Sequence, residues 1–203
     1  MGTGSNVLVG VKVGSEQDRI TFDGAYLYGR QTDPDTDERT TSEDRWFIEL
    51  KYDYYLTKPL YVYGQGRVEQ DRIADLDLRL IIGAGVGYQW IETADFTFRT
   101  EGGLAWLYED FDIGDNSEEI VFRFAYYLTK QLLTNIGVFH DLQIYPAVDD
   151  FSDVFLTTQA GLRTSLTATM FGEVKVVVDY DSTPAPGAED TDLRFLVSVG
   201  MTF

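Results

Sequence analysis

Phe195 Leu196 Val197 Ser198 Val199 Gly200 Met201 Thr202 Phe203 decides how this sequence reads. Successive residues of a β-strand point to opposite faces. With that period, Phe195, Val197, Val199, Met201 and Phe203 form one unbroken apolar face. Leu196, Ser198, Gly200 and Thr202 form a small, mostly polar one. A strand that meets lipid on one side and a polar lumen on the other needs this pattern.

The same alternation recurs upstream. Val7, Val9, Val11 and Val13 mark a first strand, and Ile20, Phe22, Gly24, Tyr26 and Tyr28 give one face of a second. Trp46, Ile48, Leu50, Tyr52 and Tyr54 oppose Glu49, Lys51 and Asp53, and a less regular strand spans Leu60 to Glu69. The clearest run sets Leu78, Leu80, Ile82, Ala84, Val86, Tyr88 and Trp90 against Asp77, Arg79, Ile81, Gly83, Gly85, Gly87 and Gln89. It is too long for an average soluble strand and suits a tilted membrane-spanning one. Further strands start near Phe96, Ile120, Leu132, Val154 and Gly172.

Short turns are expected at 56–59, 92–95, 128–131 and 165–169, alternating with longer acidic loops at 31–44, 71–75, 109–117, 146–152 and 181–192. Short turns at one end and long loops at the other is the layout of an outer-membrane barrel. The pentad Tyr54 Tyr55 Leu56 Thr57 Lys58 returns as Tyr126 Tyr127 Leu128 Thr129 Lys130, which predicts two hairpins built on one turn. The fold expected is therefore all-β, an antiparallel up-and-down transmembrane β-barrel forming a single domain over residues 1–203.

Composition narrows the function. No window approaches the roughly 18 apolar residues of a membrane helix. Thirty-four Asp and Glu against 16 Lys and Arg leave a net charge of -18, which excludes nucleic acid as a partner because phosphate binding needs basic surface. With no cysteine, thiolate metal sites and disulfides are impossible. Thirteen Tyr and 13 Phe suit girdles at a membrane interface better than a compact aliphatic core. Gly2 Thr3 Gly4 Ser5 after Met1 carries no basic and apolar leader, as expected of a mature or truncated form.

Charges gather on one face of the strands: Glu49, Lys51, Asp53, Arg67, Glu69, Asp77, Arg79, Arg99, Glu101, Arg123, Arg163, Glu173, Lys175 and Arg194. An Arg or Lys facing lipid at the midplane costs roughly 2 to 4 kcal/mol, so these fourteen are the candidate lumen-facing residues. Neighbouring strands alternate in sign, as in Arg67 and Glu69 beside Asp77 and Arg79, which allows cross-strand pairs. Two readings follow, a salt-bridged structural lumen and a narrow passive pore. A soluble up-and-down barrel around an apolar ligand would turn the charges outward instead.

Catalysis finds little support. The only histidine, His140, shares the outward face of Ile136, Val138, Leu142 and Ile144, whereas a barrel-embedded lipid-modifying enzyme would need a base at the lumen or rim. Asp33, Asp35 and Asp37 have calcium-loop spacing, but Glu38 stands where the loop needs glycine. No catalytic, cofactor or metal site is expected, apart from divalent cations bridging the acidic loops.

Residues 45–203 resemble the YdiY-type family of salt-induced outer-membrane proteins. The resemblance rests on Tyr52 Asp53 Tyr54 Tyr55 Leu56 Thr57 Lys58, on Arg72 with Asp75 Leu76 Asp77 Leu78 Arg79, and on Gly83 Ala84 Gly85 Val86 Gly87 Tyr88. It continues through Glu101 Gly102 Gly103 Leu104, Gly161 Leu162 Arg163, and Tyr180 Asp181 Ser182 Thr183 Pro184 Ala185 Pro186 Gly187. It implies a non-enzymatic, monomeric barrel in the outer membrane of a Gram-negative envelope, linked to osmotic or salt stress. Lipid, lipopolysaccharide and the outer-membrane assembly machinery would be its partners. Phe195, Val197, Val199, Met201 and Phe203 resemble the C-terminal signal that this machinery reads. The family also implies about twelve strands, against about eleven visible here, with the opening strand ending near Gly4 Ser5 Asn6.

Overall fold

The alternating runs become eleven strands in a computed structural model that describes residues 2–15, 17–32, 39–112, 116–184 and 189–201. They are β1 (Gly2–Gly14), β2 (Asp18–Thr32), β3 (Arg39–Tyr55), β4 (Leu60–Asp71), β5 (Leu76–Glu92) and β6 (Phe96–Phe111), then β7 (Ser117–Leu133), β8 (Ile136–Pro146), β9 (Val154–Ser165), β10 (Met170–Asp181) and β11 (Thr191–Met201). Each pairs antiparallel with the next in chain order, giving one up-and-down sheet curled into a half-barrel. Among the described residues no ladder joins β11 to β1. Both are odd-numbered strands and run in the same direction, so joining them directly would require a parallel ladder.

Contacts across the concave side prove the curl. Arg45 of β3 reaches Asp179 of β10 at 2.6 Å, although the two strands are seven ladders apart, about 34 Å along a flat sheet. Only a sheet bent back on itself brings them within reach. The charged face is thus the inner one, and the apolar face is outside: Leu50, Ile82, Val86, Leu104, Phe124, Val174 and Val197 are all exposed. Phe195 and Val199 face outward with them, while Phe203 lies outside the described residues.

Aromatic residues bracket the outer band. Trp46 is level with Tyr26, and Trp106 with Ile82. Tyr54 follows Trp46, and Trp90 follows Ile82, by eight residues each (46 to 54 and 82 to 90), about 26 Å of strand. At a tilt of 35–45° that spans about 20 Å, close to the apolar height of an outer-membrane barrel. Each indole has a partner for its N–H: Trp46 donates to Gln70 at 3.0 Å, Trp90 to Thr100 at 2.8 Å and Trp106 to Glu118 at 3.1 Å.

Several sequence expectations shift. The second pentad, Tyr126–Lys130, is not a turn; it lies inside β7, where Leu128 pairs with His140 and Lys130 with Val138. Gln131, Leu132 and Leu133 prolong the strand, so Thr134 and Asn135 make the turn instead. The repeated residues therefore end one strand and continue another. Gly4, Ser5 and Asn6 mark no strand end, since they pair with Gly29, Tyr28 and Leu27 within β1. The turn before β5 is closed by Asp71, which accepts the Ile73 and Ala74 N–H groups, and by Asp75 at φ 52°, a conformation that Asp tolerates.

Glycines shape the inner wall of β5 and β6. A Cβ on Gly85 would lie 2.7 Å from both Gly103 Cα and the Tyr63 hydroxyl, and one on Gly87 would strike the Tyr61 ring. Tyr61 and Tyr63 lie against this bare strip, and it lets two backbones approach closely. Replacing Gly85 by Ala must displace backbone as well as the tyrosine. The variant is expected to refold in lower yield, with a clearly lower unfolding midpoint in detergent, whereas Gly64→Ala, with open space around its Cβ, leaves both unchanged.

Candidate functional site in the lumen

The inner face carries two ionic tiers. Toward the short turns, Glu101 of β6 accepts from Lys51 of β3, from the Tyr61 hydroxyl of β4 at 2.7 Å and from Arg123 Nη1 of β7 at 2.8 Å. Lys51 also meets Asp53 at 2.7 Å, and Asp53 accepts from Arg19 of β2 at 2.6 Å. Arg123 extends the chain by donating to Tyr127 and to Gln143 of β8, both at 2.8 Å. The side chains of Glu101 and Arg123 are wholly enclosed.

Toward the long loops, Glu69 accepts from Arg67 at 2.6 Å, Arg79 at 3.0 Å and Arg45 at 3.2 Å. Asp179 holds Arg45 and Arg194, while Arg79 also bonds Glu109 and Asp181, the latter at 2.5 Å. An apolar cluster of Ile81, Ala105, Leu107, Val121, Tyr145 and Phe155 packs on the same inner face. Phe155 carries the Arg79 guanidinium over its ring at 4.1 Å and stacks with Tyr145. Ion pairs, tyrosines and apolar side chains together fill the concave side.

A charge taken out of water is tolerated only when it is paired and its remaining hydrogen-bonding atoms are engaged. That requirement explains why Asp53, Glu69, Glu101 and Asp179 each serve more than one cation. It also makes the network cooperative, because removing one member strands two or three others.

Of the fourteen candidate lumen residues, Lys51, Asp53, Glu69, Arg79, Glu101, Arg123 and Glu173 are buried. Glu49, Arg67, Arg99, Lys175 and Arg194 are partly buried on the same face. Glu49 pairs with Arg67 at 3.2 Å, and Lys175 donates to Gln159 at 3.0 Å. Arg163 binds Glu173 at 2.6 Å yet is 56% exposed, so it sits at an open rim. Asp77 is exposed and takes no part. The β5–β6 ladder steps from Leu76 to Leu78, and this bulge passes over Asp77 and gives the buried position to Leu76.

Arg19, Arg45, Glu109, Asp179 and Asp181 belong to the network, and so do the hydroxyls of Tyr61, Tyr127 and Tyr145, while Tyr63 offers Lys51 and Arg123 the face of its ring. For Arg19 and Arg45 the signal was present, since each occupies the inward parity of its strand. The tyrosines read as girdle residues because their ring pattern hides a hydroxyl that serves the lumen. His140 faces outward as expected, bonded to the Tyr126 hydroxyl at 2.6 Å and Thr158 at 3.3 Å. The Asp33, Asp35 and Asp37 spacing lies outside the described residues. Among the described residues, no three His, Asp or Glu side chains are grouped as a metal site would need.

The up-and-down antiparallel fold recurs in solved structures. The solved structure of the NanC porin in a rhombohedral crystal form superposes with a TM-score of 0.58 over 98% of this chain and 99% of that one, at 12% identity. A bacterial polysaccharide outer membrane secretin gives 0.50 at 12% identity, over 98% of this chain and 80% of that one. A comparison with curated protein sequences finds no match. The chain belongs to the family described as "Protein of unknown function, DUF481", whose model matches residues 3–203.

Glu101 is the keystone of the turn-side tier. Replacing it by Ala leaves Lys51, Arg123 and Tyr61 without their acceptor and is expected to cost about 3–5 kcal/mol, read from denaturant unfolding in detergent. A Glu101→Leu/Arg123→Met double variant should recover part of that loss, because no unpaired Arg123 charge then remains.

Proposed function

We propose that the protein is an outer-membrane β-barrel with a filled lumen, serving the envelope as a structural element or a very narrow passive pore. The observation that carries this reading is the enclosed Glu101–Arg123 pair at 2.8 Å, tied to Lys51 on β3 and Gln143 on β8. Side chains from β3, β6, β7 and β8 meet there, and the carboxylate and guanidinium at the centre are fully enclosed. The apolar exterior, its two aromatic levels and the fold of the porin-like neighbours support placement in the outer membrane. Lipid and lipopolysaccharide then surround the wall, and the longer acidic loops lie outside the cell.

The YdiY-type resemblance adds a link to salt or osmotic stress. Buried ion pairs are screened by salt much less than exposed ones, so a lumen closed by enclosed pairs keeps its packing as external salt rises. Such a barrel passes no new current under stress. The reading includes no catalysis, because the ring nitrogens of His140 are engaged with Tyr126 and Thr158 on the outer wall. A soluble carrier of an apolar ligand needs the opposite orientation, with its charges outward and an apolar interior.

Planar-bilayer recording after verified insertion tests the proposal. The expected trace for the wild type is silent or shows only very small steps, and Glu101→Ala produces clearly larger discrete steps. Large regular steps from the wild type would show an open lumen and overturn the proposal.

A further inference from the structure

The outer wall carries a recess over β6 that the lumen does not explain. The ladders align Leu60, Tyr88, Thr100, Tyr126 and Leu142 in one row across β4–β8, and Val62, Val86, Gly102, Phe124 and Ile144 in the next. Every position in the two rows is large except Thr100 and Gly102 on β6. A Cβ on Gly102 would find its nearest neighbour, Phe124, 4.0 Å away. The result is a groove of about 430 Å³ over β6, walled by Val86 and Tyr88 on one side and Phe124 and Tyr126 on the other.

The groove is apolar along its length and polar at one end only. At the short-turn end Trp90 donates to Thr100, and His140 bonds Tyr126 and Thr158. Beyond Tyr126 on the same face of β7 stands exposed Lys130, four residues or about 13 Å along the strand. Lys58, also exposed, lies in the β3–β4 turn next to Leu60. Hydrocarbon-lined depth with a cation and hydrogen-bonding groups at one mouth matches an acyl chain joined to a phosphate.

Resting on the membrane reading above, we propose that this groove seats one acyl chain of a phospholipid from the leaflet at the short-turn end, with its phosphate beside Lys130. The chain fills the space that Gly102 leaves between Val86 and Phe124. The aromatic pair Tyr88 and Trp90, with ring centroids 4.6 Å apart, borders it at interface level.

The full chain is refolded into liposomes of phosphatidylethanolamine and phosphatidylglycerol that contain a phospholipid with a photoactivatable acyl chain. Adducts are then mapped by mass spectrometry. Labelling is expected to concentrate at Val86, Phe124 and Ile144 relative to Leu162 and Val174, which face outward on other strands. Gly102→Leu, whose side chain fits the open space, should reduce labelling to the level of those references, and Lys130→Glu should weaken it. Equal labelling of the groove and the reference positions, or enrichment that Gly102→Leu does not alter, would overturn the site and leave the membrane reading intact. Enrichment obtained only with a lipopolysaccharide probe would overturn the phospholipid assignment. Absence of labelling at Leu162 and Val174 as well would overturn the membrane reading itself.

Discussion

Charge cannot face hydrocarbon cheaply, and in the proposed membrane setting the rest of this structure depends on that constraint. Most charged residues of the strands turn to the inner side of a curled sheet, where a charge removed from water needs a partner. Glu101 and Glu69 meet the requirement by serving several cations each, Glu101 from β3 and β7 and Glu69 from β3, β4 and β5. The ion pairs that solve the solvation problem also fill the space they enclose. In the proposed reading, the closed lumen is a consequence of how the wall is made compatible with lipid.

Filling so narrow a space also requires parts of the wall to be thin. Gly85 and Gly103 face each other across a ladder, and Tyr63 reaches over both, while Tyr61 covers Gly87 and brings its hydroxyl to Glu101. The glycine-rich inner face of β5 is therefore the seat of the tyrosines that complete the ionic network. On the outer face, Gly102 has the opposite effect and leaves a recess where its neighbours project.

Most of the fold was legible because a half-exposed sheet writes its period of two directly into the sequence. The valines of β1, the Trp46–Tyr54 face of β3 and the long run of β5 announced strand, face and direction together. Where that period slips, the reading slipped too. The bulge at Asp77 moves one charge off the inner face, and the run from Gln131 to Leu133 carries β7 past a pentad that elsewhere ends a strand. The site was legible in its charges and illegible in its tyrosines, since Tyr61, Tyr127 and Tyr145 share a residue type with the membrane girdles. No local pattern could show that Arg45 meets Asp179, because that contact exists only once the whole sheet has curled.

The central claim is orientation, odd-numbered positions of β5 from Arg79 to Gln89 inward and the even-numbered ones between them outward, and the absence of cysteine makes it directly measurable. Single cysteines placed at Ile81, Ile82, Ala84, Val86, Tyr88 and Gln89, leaving the inward glycines untouched, would carry spin labels in lipid vesicles, read for collisions with oxygen dissolved in lipid and with a water-soluble relaxant. The account predicts that positions 82, 84, 86 and 88 collide with oxygen, while 81 and 89 are shielded from both probes. Strong collisions of the odd positions with the water-soluble probe would show an open, hydrated lumen, and a reversed alternation would turn the sheet inside out.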